Sequence, residues 1–582
     1  MTNADIARVF EEIADMLEIK GEDAFRINSY RRVARTIDDL ATDVADIAAR
    51  GELGQLPGVG KASAAKIQEL LDTGRLKLRE ELAKQVPESI LELLNIPGMG
   101  PKKVALLWHQ RRIDSLDSLK AAIAAGGLDD LKGFGKKTLA QISDGIDFLQ
   151  RSAGRTRLGH AWPIAAEICD AVAAMKGVRR VEHAGSLRRG RETVGDLDLL
   201  CHADQGERVI KAFTQLPGVT KVLAAGGTKG SVLVEWSPGH EIQIDLRVVP
   251  QESFGAAWQY FTGSKEHNVR LRERAVKRGW SLNEYALSDT KTGKVIASRE
   301  EEDIYRALDL PWIPPELRED RGEFEPGAIP KNLLTDGDIR GDLHMHTTAS
   351  DGRNTIEEMA LAAKALGWKY ICITEHSQSS TIANGLDPEH LEALIADIRE
   401  ADRRVKGVKI WAGTEVDILA DGSLDYDDDL LAKLDFVIAS IHAGLGKDSK
   451  TNTERTIAAM RNPYVNVIGH PTGRMINVRK PMTLDMEAIC RAAAKTGTAL
   501  EINASMYRLD LKDQHARLAR EVGAKLAIGT DAHGIERFDQ MRYGVMTARR
   551  AALRKSDVLN TRTAKQVESF VQAKRKKAKR QR

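Results

Sequence analysis

Short apolar segments that end in histidine or acidic residues recur between residues 342 and 533 of this 582-residue chain. The segments are rich in β-branched residues, which is typical of buried parallel strands. Helical stretches such as TIEEMALAAKALG, with apolar residues at three- and four-residue spacing, lie between them. This alternation predicts a βα barrel, and with DLHMHT and ALEINA the strands number seven. In such a barrel, functional side chains gather at the C-terminal ends of the strands.

The polar residues at these strand ends are donors that transition metals prefer. The candidate ligands are His344, His346, Asp351, His376, Glu415, His442, His470, Asp531 and His533. In the HxH and DxH pairs, the two-residue step places both side chains on one face of a strand. Because so many imidazoles and carboxylates exceed the needs of one ion, we expect two or three zinc, manganese or iron ions. Ion clusters of this kind hydrolyse phosphate esters.

These motifs resemble the polymerase and histidinol phosphatase (PHP) domain family, whose signature is HxH, EH, a lone E, H, GHP and DxH. Here they are His344-Met345-His346, Glu375-His376, Glu415, His442, Gly469-His470-Pro471 and Asp531-Ala532-His533. The resemblance covers about residues 340–572. It implies a distorted seven-stranded barrel with a trinuclear metal site and phosphoesterase activity. Every ligand position is filled, which implies a functional site with two or three Mn²⁺ or Zn²⁺ ions.

Composition and charge limit the classes of protein to which the chain can belong. Four cysteines without CxxC spacing predict reduced core residues of a cytoplasmic protein. The N-terminal amphipathic helix carries acids and no uncharged apolar stretch reaches membrane-spanning length, so neither export nor a membrane partner is expected. The net charge of +3 conceals basic residues that cluster outside the acid-rich metal domain. The tail KRKKAKRQR is either a disordered solubilising end or a weak DNA contact.

A glycine-rich phrase occurs three times near the N-terminus, as LPGVGKASAAKI, IPGMGPKKVALL and LKGFGKKTLAQI. Two glycines let a turn expose backbone N–H groups at the N-terminus of a helix, where a phosphate binds. Such a site holds a phosphate without reading a base. The repeats resemble helix-hairpin-helix motifs, which grip DNA without sequence preference. The candidate DNA-binding residues are Gly58, Gly60, Lys61, Gly98, Gly100, Lys102, Gly133, Gly135 and Lys136.

A second candidate metal site lies in the phrase HAGSLRRGRETVGDLDLL. Asp196 and Asp198 share one face of a predicted strand because they are two residues apart. Asp245, in the later strand EIQIDLRVV, supplies a third carboxylate. Converging carboxylates repel one another unless cations balance them, so the pattern predicts a pair of Mg²⁺ ions with substrate phosphates.

The residues around this site extend the resemblance to the family X DNA polymerases. Gly185, Ser186 and Arg189 offer backbone N–H, hydroxyl and guanidinium donors for a triphosphate. The phrase Tyr260-Phe261-Thr262-Gly263-Ser264, then Asn268 and Arg272, follow where the thumb of that family begins. This resemblance covers residues 1 to about 315. Together with the PHP domain, it resembles the architecture of the bacterial and archaeal PolX proteins.

The resemblance implies roles for these residues. Asp196, Asp198 and Asp245 would bind the catalytic Mg²⁺ pair, and the third aspartate would assist the primer 3′-hydroxyl. The implied nucleotide-binding residues are Gly185, Ser186, Arg189, Tyr260, Phe261, Gly263, Asn268 and Arg272. Of these, the Tyr260-Phe261 pair would face the sugar, and Asn268 and Arg272 the minor groove of the base pair. Lys265 departs from the acidic residue of vertebrate members, which bears on nucleotide selectivity.

The N-terminal domain of the same family can carry a 5′-deoxyribose-phosphate lyase. Lys66 occupies the position of its nucleophile, and Asn28-Ser29-Tyr30 matches the neighbouring pocket. Phe25 and Ala62 stand where lyase-active relatives have a stacking histidine and a phosphate-binding lysine. A lysine nucleophile must lose its proton, which needs burial or a cationic neighbour such as Lys61. A contact between Lys66 and the DNA backbone is an equally good interpretation.

The expected fold is multidomain α+β and α/β, with helix-hairpin-helix N-terminal domains, a nucleotidyltransferase palm, a thumb and a distorted (β/α)7 PHP barrel. The expected boundaries are 1–90 for a lyase-like helical DNA-binding domain, 91–150 for a fingers-like hairpin domain, 151–255 for the palm, 256–315 for the thumb, 316–339 for a linker, 340–572 for the PHP domain and 573–582 for the basic tail.

The expected function is a monomeric DNA repair polymerase that fills short gaps, with gapped or nicked DNA and deoxynucleoside triphosphates as substrates. The PHP domain would act as a 3′–5′ exonuclease, with apurinic-site endonuclease activity also implied by the resemblance. Two alternatives remain: a small-molecule phosphatase of the histidinol-phosphate type with an accessory domain, and a catalytically decayed DNA-binding scaffold.

Overall fold

The computed structural model describes residues 3–38, 44–56, 58–96, 99–128, 130–131, 133–135, 138–140, 142–143, 146 and 155–579. The chain divides into two compact units, Met1–Ala153 with Asn477–Lys480, and Gly154–Ile476 with Pro481–Arg582. Within the described ranges, no helix combines the length and apolar character needed to span a membrane.

Between residues 3 and 146, all regular secondary structure in the described part of the first unit is helical. Its first helix, Asn3–Lys20, buries Ile6, Phe10, Ile13 and Leu17 completely, in the three- and four-residue spacing of an amphipathic helix. The helices are Asn3–Lys20, Ala24–Asp38, Val44–Ala49, Lys61–Thr73, Lys77–Ala83, Ser89–Glu92, Pro101–Arg111 and Leu116–Ala124.

The second unit begins with the palm, a five-stranded sheet flanked by helices Leu158–Ala173 and Gly206–Phe213. In spatial order, its strands are Val178–His183, Asp196–Ala203, His240–Val248, Lys229–Ser237 and Val219–Ala225. The two central strands that carry the candidate aspartates are parallel, and the other pairings are antiparallel. Burial alternates along most of His240–Val248 and over the first four residues of Asp196–Ala203, as predicted for half-buried strands, whereas Leu199, Leu200 and Cys201 are all buried.

The thumb packs two helices, Phe254–Thr262 and Lys265–Val276, with a small antiparallel sheet and the helix Glu301–Ala307. The sheet strands are Trp280–Leu282, Leu287–Asp289 and Val295–Ala297.

The expected linker 316–339 is packed rather than loose. Arg318 is fully buried, and its Nη1 lies 2.5 Å from Oε1 of the buried Glu301. Phe324 joins the core of the thumb, and Leu334 joins that of the barrel. Prolines and charges made this segment look solvent-exposed in the sequence, but its charges are neutralised by long-range partners.

The barrel has seven parallel strands in sequence order, as predicted. They are Gly341–Asp342, Tyr370–Ile373, Lys409–Asp417, Phe436–Ser440, Val467–Ile468, Ala499–Asn503 and Leu526–Gly529. The main helices around them are Ile356–Ala365, Pro388–Arg404, Ser449–Arg461, Met486–Thr496, Asp513–Glu521 and Met541–Arg550. The first and last strands meet where Asp531 donates its N–H to the carbonyl of His344 at 3.0 Å, so the barrel is nearly closed.

The predicted basic tail begins inside a helix, Ala564–Lys579, that packs on the barrel. Lys574 is buried, and its Nζ donates to Thr498 Oγ1 at 2.6 Å and to the carbonyl of Val465. Of the two interpretations of the tail, a disordered end therefore does not hold for this lysine, because its amino group finds buried acceptors. Residues 580–582 lie outside the described residues.

Candidate active sites

The three aspartates of the palm lie on adjoining parallel strands. Asp198 pairs directly with Asp245 across the two strands, and Asp196 precedes Asp198 by two residues on the same face. Leu197 between them is fully buried. Burial, followed by the charges of Asp196 and Asp245, raises the pKa of Asp198 to about 6. A cation among these carboxylates would relieve their repulsion, which is the electrostatic condition for a divalent-metal site.

Asp245 has three side-chain partners that the sequence analysis missed. Lys229 Nζ lies 3.0 Å from Asp245 Oδ2. Gln243 donates to Asp245 Oδ1 at 2.9 Å, and the hydroxyl of Ser231, which lies opposite Asp245 in the sheet, donates to the same oxygen. Burial raises the pKa of Asp245, but these partners outweigh burial and hold the pKa below its ordinary value. The carboxyl group is thus kept ionised.

Gly185 brings the predicted phosphate-binding segment against the carboxylates. Its φ is +61°, and a β-carbon there would lie 2.3 Å from Asp198 Oδ2, so only glycine fits both the backbone and the space. The N–H of Ala184 donates to the carbonyl of Asp198 at 2.8 Å. Ser186 follows in the same short helix, Gly185–Arg188. The segment and the aspartates therefore form one site.

Arg188 and Arg189, at the end of this short helix, have different surroundings. Arg189 donates to the carbonyl of Thr262 and to Glu319 Oε1 at 3.2 Å, so protein groups already engage the guanidinium expected to bind triphosphate. Arg188 is buried and makes a two-pronged contact with the carboxylate of Glu301, at 2.9 and 3.0 Å. The sequence analysis missed both glutamates, because they are distant in the chain and lie in ordinary charged segments.

The residues expected to face the nucleotide lie around the junction of the two thumb helices. The rings of Tyr260 and Phe261 are nearly perpendicular, with centroids 5.1 Å apart. The guanidinium of Arg247, from the strand that carries Asp245, lies 4.4 Å from the centroid of Phe261. Gly263 joins the helices with a φ of +70°.

Asn268 is buried at this junction. Its amide donates to the carbonyl of Tyr260 at 2.7 Å and accepts from Gln259 at 2.7 Å. The structure therefore does not place the Asn268 amide at the surface, where a contact with the minor groove would require it. Lys265 and Arg272 are exposed on the same helix.

At the barrel mouth, the candidate ligands form three adjoining groups in which the ligand atoms lie within 4.8 Å of one another. The groups are His346, Asp351, His376 and His533; His344, His346 and Asp531; and His376, Glu415 and His442. His470 is the one predicted ligand outside these groups, as far as the described residues go. Its Nε2 lies 2.8 Å from Glu415 Oε1.

Glu415 is the central residue of the cluster. Its Oε1 faces His470 and His442, with His442 Nε2 at 3.4 Å, and its Oε2 lies 3.0 Å from His376 Nδ1 and 3.5 Å from His344 Nε2. Burial raises the pKa of Glu415, but the surrounding histidines outweigh burial and hold the pKa well below its usual range. Two oxygens that face separate sets of imidazoles are the arrangement of a bridging ligand.

Several donor atoms at the mouth are buried with no hydrogen-bond partner in the described part of the chain. They are His344 Nε2, both ring nitrogens of His346, His376 Nδ1, His470 Nδ1 and both carboxylate oxygens of Glu415. An unsatisfied buried polar atom costs roughly 1–3 kcal/mol, so native structures rarely keep so many together. Imidazole and carboxylate atoms orphaned in this way fit a cluster of metal ions.

A second layer of polar residues orients the ligands. Glu501 Oε1 lies 2.6 Å from His344 Nδ1, and Asp417 Oδ1 lies 2.9 Å from His442 Nδ1. Such partners hold an imidazole in the tautomer and orientation that metal binding needs. The sequence analysis missed both, although each interrupts an apolar run, Glu501 in ALEINA and Asp417 two residues after Glu415.

Arg508 also faces the cluster and was not predicted. Its Nε lies 3.5 Å from Asp531 Oδ2, and its Nη1 is buried with no hydrogen-bond partner among the described residues. A guanidinium beside a metal cluster is suited to binding a phosphate oxygen. Nothing in the local sequence marks Arg508, because it follows its strand by several loop residues.

In the helical unit, two of the three predicted glycine turns precede helices, as expected. Gly60 and Gly100 are the N-caps of helices Lys61–Thr73 and Pro101–Arg111. Gly58 and Gly133 have positive φ values of 74° and 91°.

The lysines beside these turns are Lys61 and Lys102, and both are exposed, as is Gly135. Two further candidates, Gly98 and Lys136, lie outside the described residues.

Lys66, the candidate lyase nucleophile, lies on the helix Lys61–Thr73. Its Nζ donates to the carbonyl of Ala62 at 3.2 Å and lies 5.9 Å from the centroid of the Tyr30 ring. The lysine and the tyrosine of the predicted pocket therefore face each other. Phe25 is largely exposed.

Sequence models of four known families match this chain. The helix-hairpin-helix domain model matches residues 1–76, and the SAM-like helix-hairpin-helix tandem model matches residues 90–147. The DNA polymerase beta thumb model matches residues 257–319, and the PHP domain model matches residues 342–505. Together with the paired aspartates and the histidine cluster, these matches define a polymerase-beta-like fold joined to a PHP domain.

Over 571 residues, the chain is 38% identical to the DNA polymerase/3′-5′ exonuclease PolX of Bacillus subtilis, which covers 98% of this chain and 99% of that protein. The chain belongs to the PolX family.

Two other relatives match part of the chain. DNA polymerase lambda of Rattus norvegicus is 30% identical over 351 residues, which is 54% of this chain and 56% of that protein. A probable phosphatase of Thermoanaerobacter is 33% identical over 249 residues, which is 40% of this chain and 96% of that protein. The phosphatase resemblance is confined to the PHP part of the chain.

Proposed function

We propose that this chain is a DNA repair polymerase that fills short gaps, and that its barrel is a metal-dependent 3′–5′ exonuclease. The observation that carries the polymerase assignment is the direct pairing of Asp198 with Asp245, with Asp196 on the same face. Membership of the PolX family supports both activities, since the Bacillus subtilis relative bears both in its name.

In the polymerase reaction, the primer 3′-hydroxyl oxygen forms a bond to the α-phosphorus of a deoxynucleoside triphosphate. The bond from that phosphorus to the β-phosphate breaks, and pyrophosphate leaves. Asp196, Asp198 and Asp245 would hold two Mg²⁺ ions, which when bound supply positive charge for the developing negative charge of the phosphate. Asp245, which contacts Lys229, Ser231 and Gln243, would orient the 3′-hydroxyl and take up the proton that it releases.

The remaining nucleotide-binding roles are those that the resemblance to family X polymerases implies. Gly185 and Ser186 adjoin Asp198 and would hold the triphosphate, with Arg189 freed from Glu319 when the nucleotide arrives. Tyr260 and Phe261 would face the sugar beside Gly263. Asn268 and Arg272 would contact the base pair, and for Asn268 this requires its present hydrogen bonds to exchange.

In the exonuclease reaction, a water oxygen forms a bond to the phosphorus of the terminal phosphodiester. The bond to the 3′-oxygen of the preceding nucleotide breaks, that oxygen takes up a proton, and a nucleoside 5′-monophosphate is released. The nine barrel-mouth ligands would hold two or three Mn²⁺ or Zn²⁺ ions, which when bound lower the pKa of a water and stabilise charge on the phosphate. Arg508 would donate to a phosphate oxygen.

The substrates on this proposal are gapped or nicked DNA and deoxynucleoside triphosphates, and the protein acts as a cytoplasmic monomer. The helix-hairpin-helix glycine turns with Lys61 and Lys102 would hold DNA through phosphates. Affinity for DNA should fall steeply with salt, because phosphate contacts release counterions.

A 5′-deoxyribose-phosphate lyase in the first domain is a second candidate function. The observation in its favour is the approach of Lys66 Nζ to the Tyr30 ring. Its test is borohydride trapping of Lys66 on a 5′-deoxyribose-phosphate end, with Lys66→Arg as the control. Apurinic-site cleavage by the barrel is a third, tested with His344→Ala on an abasic duplex.

Two rival functions predict different outcomes. A phosphatase of small molecules leaves the aspartate site and the hairpins without a role. A decayed scaffold predicts missing ligands, whereas all twelve candidate metal-binding residues are present in the sequence.

The test uses the full-length protein, gapped duplex DNA, nucleotides and either Mg²⁺ or Mn²⁺. We compare the wild type, the double variant Asp196→Ala with Asp198→Ala, and His344→Ala. Extension should be lost only in the aspartate variant, and degradation only in the histidine variant. Extension that persists without the aspartates would refute the polymerase assignment, and degradation that persists in His344→Ala would refute the barrel assignment.

A further inference from the structure

A cleft of 520 Å³ opens beside the barrel-mouth cluster. His376 and His442 line the cleft, and they belong to one of the three candidate metal-binding groups. Its walls are the segments 379–383, 417–420 and 442–444, with Arg455. The volume lies within the roughly 300–1,000 Å³ that is usual for pockets that bind small ligands.

Part of the lining is aliphatic. It includes Ile382, Ile418, Leu419 and Ala443. Ile382 is 85% exposed in a short helical turn, Thr381–Ala383. Exposure of an isoleucine side chain to water is unfavourable. A flat apolar ligand in the cleft would cover this side chain and remove its apolar surface from water.

Arg455 adds positive charge to the same cleft. Its side chain is buried and donates to the carbonyls of Ala443 at 3.0 Å and Gly444 at 2.9 Å, and to Asn452. Within the described residues, no carboxylate lies within ion-pair distance of Arg455. The cleft is therefore lined by two candidate metal ligands, by aliphatic side chains and by a guanidinium group whose charge no nearby carboxylate balances.

Two segments of the lining are tied together beside His442. Asp417 accepts from Ser380 Oγ at 2.6 Å and lies 2.9 Å from His442 Nδ1. The turn that presents Ile382 is thus connected through Asp417 to a candidate metal ligand. A group seated against Ile382 would consequently be held in a defined position relative to the cluster.

We propose that this cleft receives the 3′-terminal nucleotide that the exonuclease removes, with its base against Ile382 and Leu419 and its 5′-phosphate at His376 and His442. The assignment rests on the proposed exonuclease function. A nucleobase has flat apolar faces that suit the aliphatic side chains, and its phosphate suits the metal ions that His376 and His442 would help to hold. Because the cleft holds a single unpaired nucleotide, the terminal base pair must open before cleavage.

The experiment compares wild type, Ile382→Asp and Ile382→Ala in the presence of Mn²⁺. The matched control is Leu361→Ala, an exposed aliphatic residue on the barrel helix Ile356–Ala365, away from the cleft. Three substrates are used: a single-stranded oligonucleotide, the same oligonucleotide whose last nucleotide lacks its base, and methyl p-nitrophenyl phosphate, a phosphodiester that keeps only a methyl group, and no flat ring, after p-nitrophenol leaves.

We expect Ile382→Asp to raise KM for the base-bearing end at least about tenfold, and Ile382→Ala to raise it less, since both remove apolar surface from the base contact. Hydrolysis of methyl p-nitrophenyl phosphate and of the abasic end should stay near wild type. With methyl p-nitrophenyl phosphate as reporter, inhibition by thymidine 5′-monophosphate should weaken in Ile382→Asp, whereas inhibition by inorganic phosphate should not.

Equal KM values for the two oligonucleotide ends in the wild type, or an unchanged preference in Ile382→Asp, would overturn the cleft assignment alone. Loss of methyl p-nitrophenyl phosphate hydrolysis in Ile382→Asp would also overturn it, because the substitution would then act through the cluster. If the wild type degraded neither oligonucleotide while hydrolysing methyl p-nitrophenyl phosphate, the exonuclease function itself would be refuted.

Discussion

Arg550 of the barrel donates a hydrogen bond of 2.7 Å to the main-chain carbonyl of Arg189 in the palm. Arg550 also lies 2.9 Å from Glu319 Oε1 and 2.9 Å from Asp513 Oδ2, so a buried network of charges joins the two domains. The polymerase palm and the barrel thus share one compact unit, and changes at their interface should affect the activity of the barrel.

Substitution of Gly159 by alanine tests this interface. A β-carbon at Gly159 in the palm would lie 2.3 Å from Met506 Cβ, in the barrel loop that also carries Arg508. We expect Gly159→Ala to lower exonuclease turnover about 10- to 100-fold by displacing the loop, with primer extension near wild type. The added substitution Met506→Gly should restore turnover, and an exonuclease unaffected by Gly159→Ala would contradict the idea.

Arg508 should be needed for hydrolysis at the barrel and not for polymerisation. Because its Nη1 is free to donate to a phosphate, Arg508→Ala should reduce kcat about 100-fold or more, and Arg508→Lys should restore only part of it. Single-turnover hydrolysis of bis(p-nitrophenyl) phosphate measures the effect. Arg542→Ala, at an exposed arginine, is the control. A kcat that stays at the wild-type value would show that Arg508 has a structural role and does not contribute to hydrolysis.

Gly185→Ala should abolish extension with little effect on degradation. The new methyl group would meet Asp198 Oδ2 and force the carboxylate away from Asp245. The matched control is Gly239→Ala, which has a similar positive φ of 75° but nothing within 4 Å of the added carbon. Extension kinetics of both variants separate the clash from backbone strain, and equal losses in the two would argue against the clash.

Glu301→Gln should destabilise the palm and thumb strongly. Glu301 neutralises Arg188 and Arg318 in a fully buried network, so the substitution leaves two buried charges uncompensated. We expect a loss of about 3–5 kcal/mol, seen as a lower melting temperature. Glu302→Gln, at the exposed neighbouring position, should melt like the wild type. A melting temperature unchanged by Glu301→Gln would mean that the network contributes little.

The buried Lys574 should make stability depend on pH. Burial lowers the pKa of Lys574 from 10.5 to about 7, so between these values the unfolded chain binds a proton that the native chain does not. Stability should therefore rise as pH increases from about 7 toward 10.5. Lys574→Met should remove this part of the rise, whereas Lys565→Met, at an exposed position on the same helix, should keep it. Melting temperatures at pH 7 and pH 9.5 measure the difference.

The sequence predicted the fold where the signal is local. The seven barrel strands appear as apolar runs, and Asp196 and Asp198 share a face because strand geometry has a period of two. The segment 316–339 was predicted as a linker, but it is packed. The burial of Arg318 in this segment depends on Glu301, which is distant in sequence. Likewise, Glu501 and Arg508 reach the cluster only through the closure of the barrel.

By itself, the sequence determined which residues are polar within apolar strands, and therefore which side chains must find a polar role. Only the tertiary structure decided how those side chains are grouped. Glu415 became the centre of the cluster because parallel strands converge at the mouth, and His470 and Asp531 adopt positive φ values of 22° and 53°, which are uncommon for residues other than glycine. Long-range packing supplies the free energy that holds such a geometry, and that packing is not encoded in any one segment.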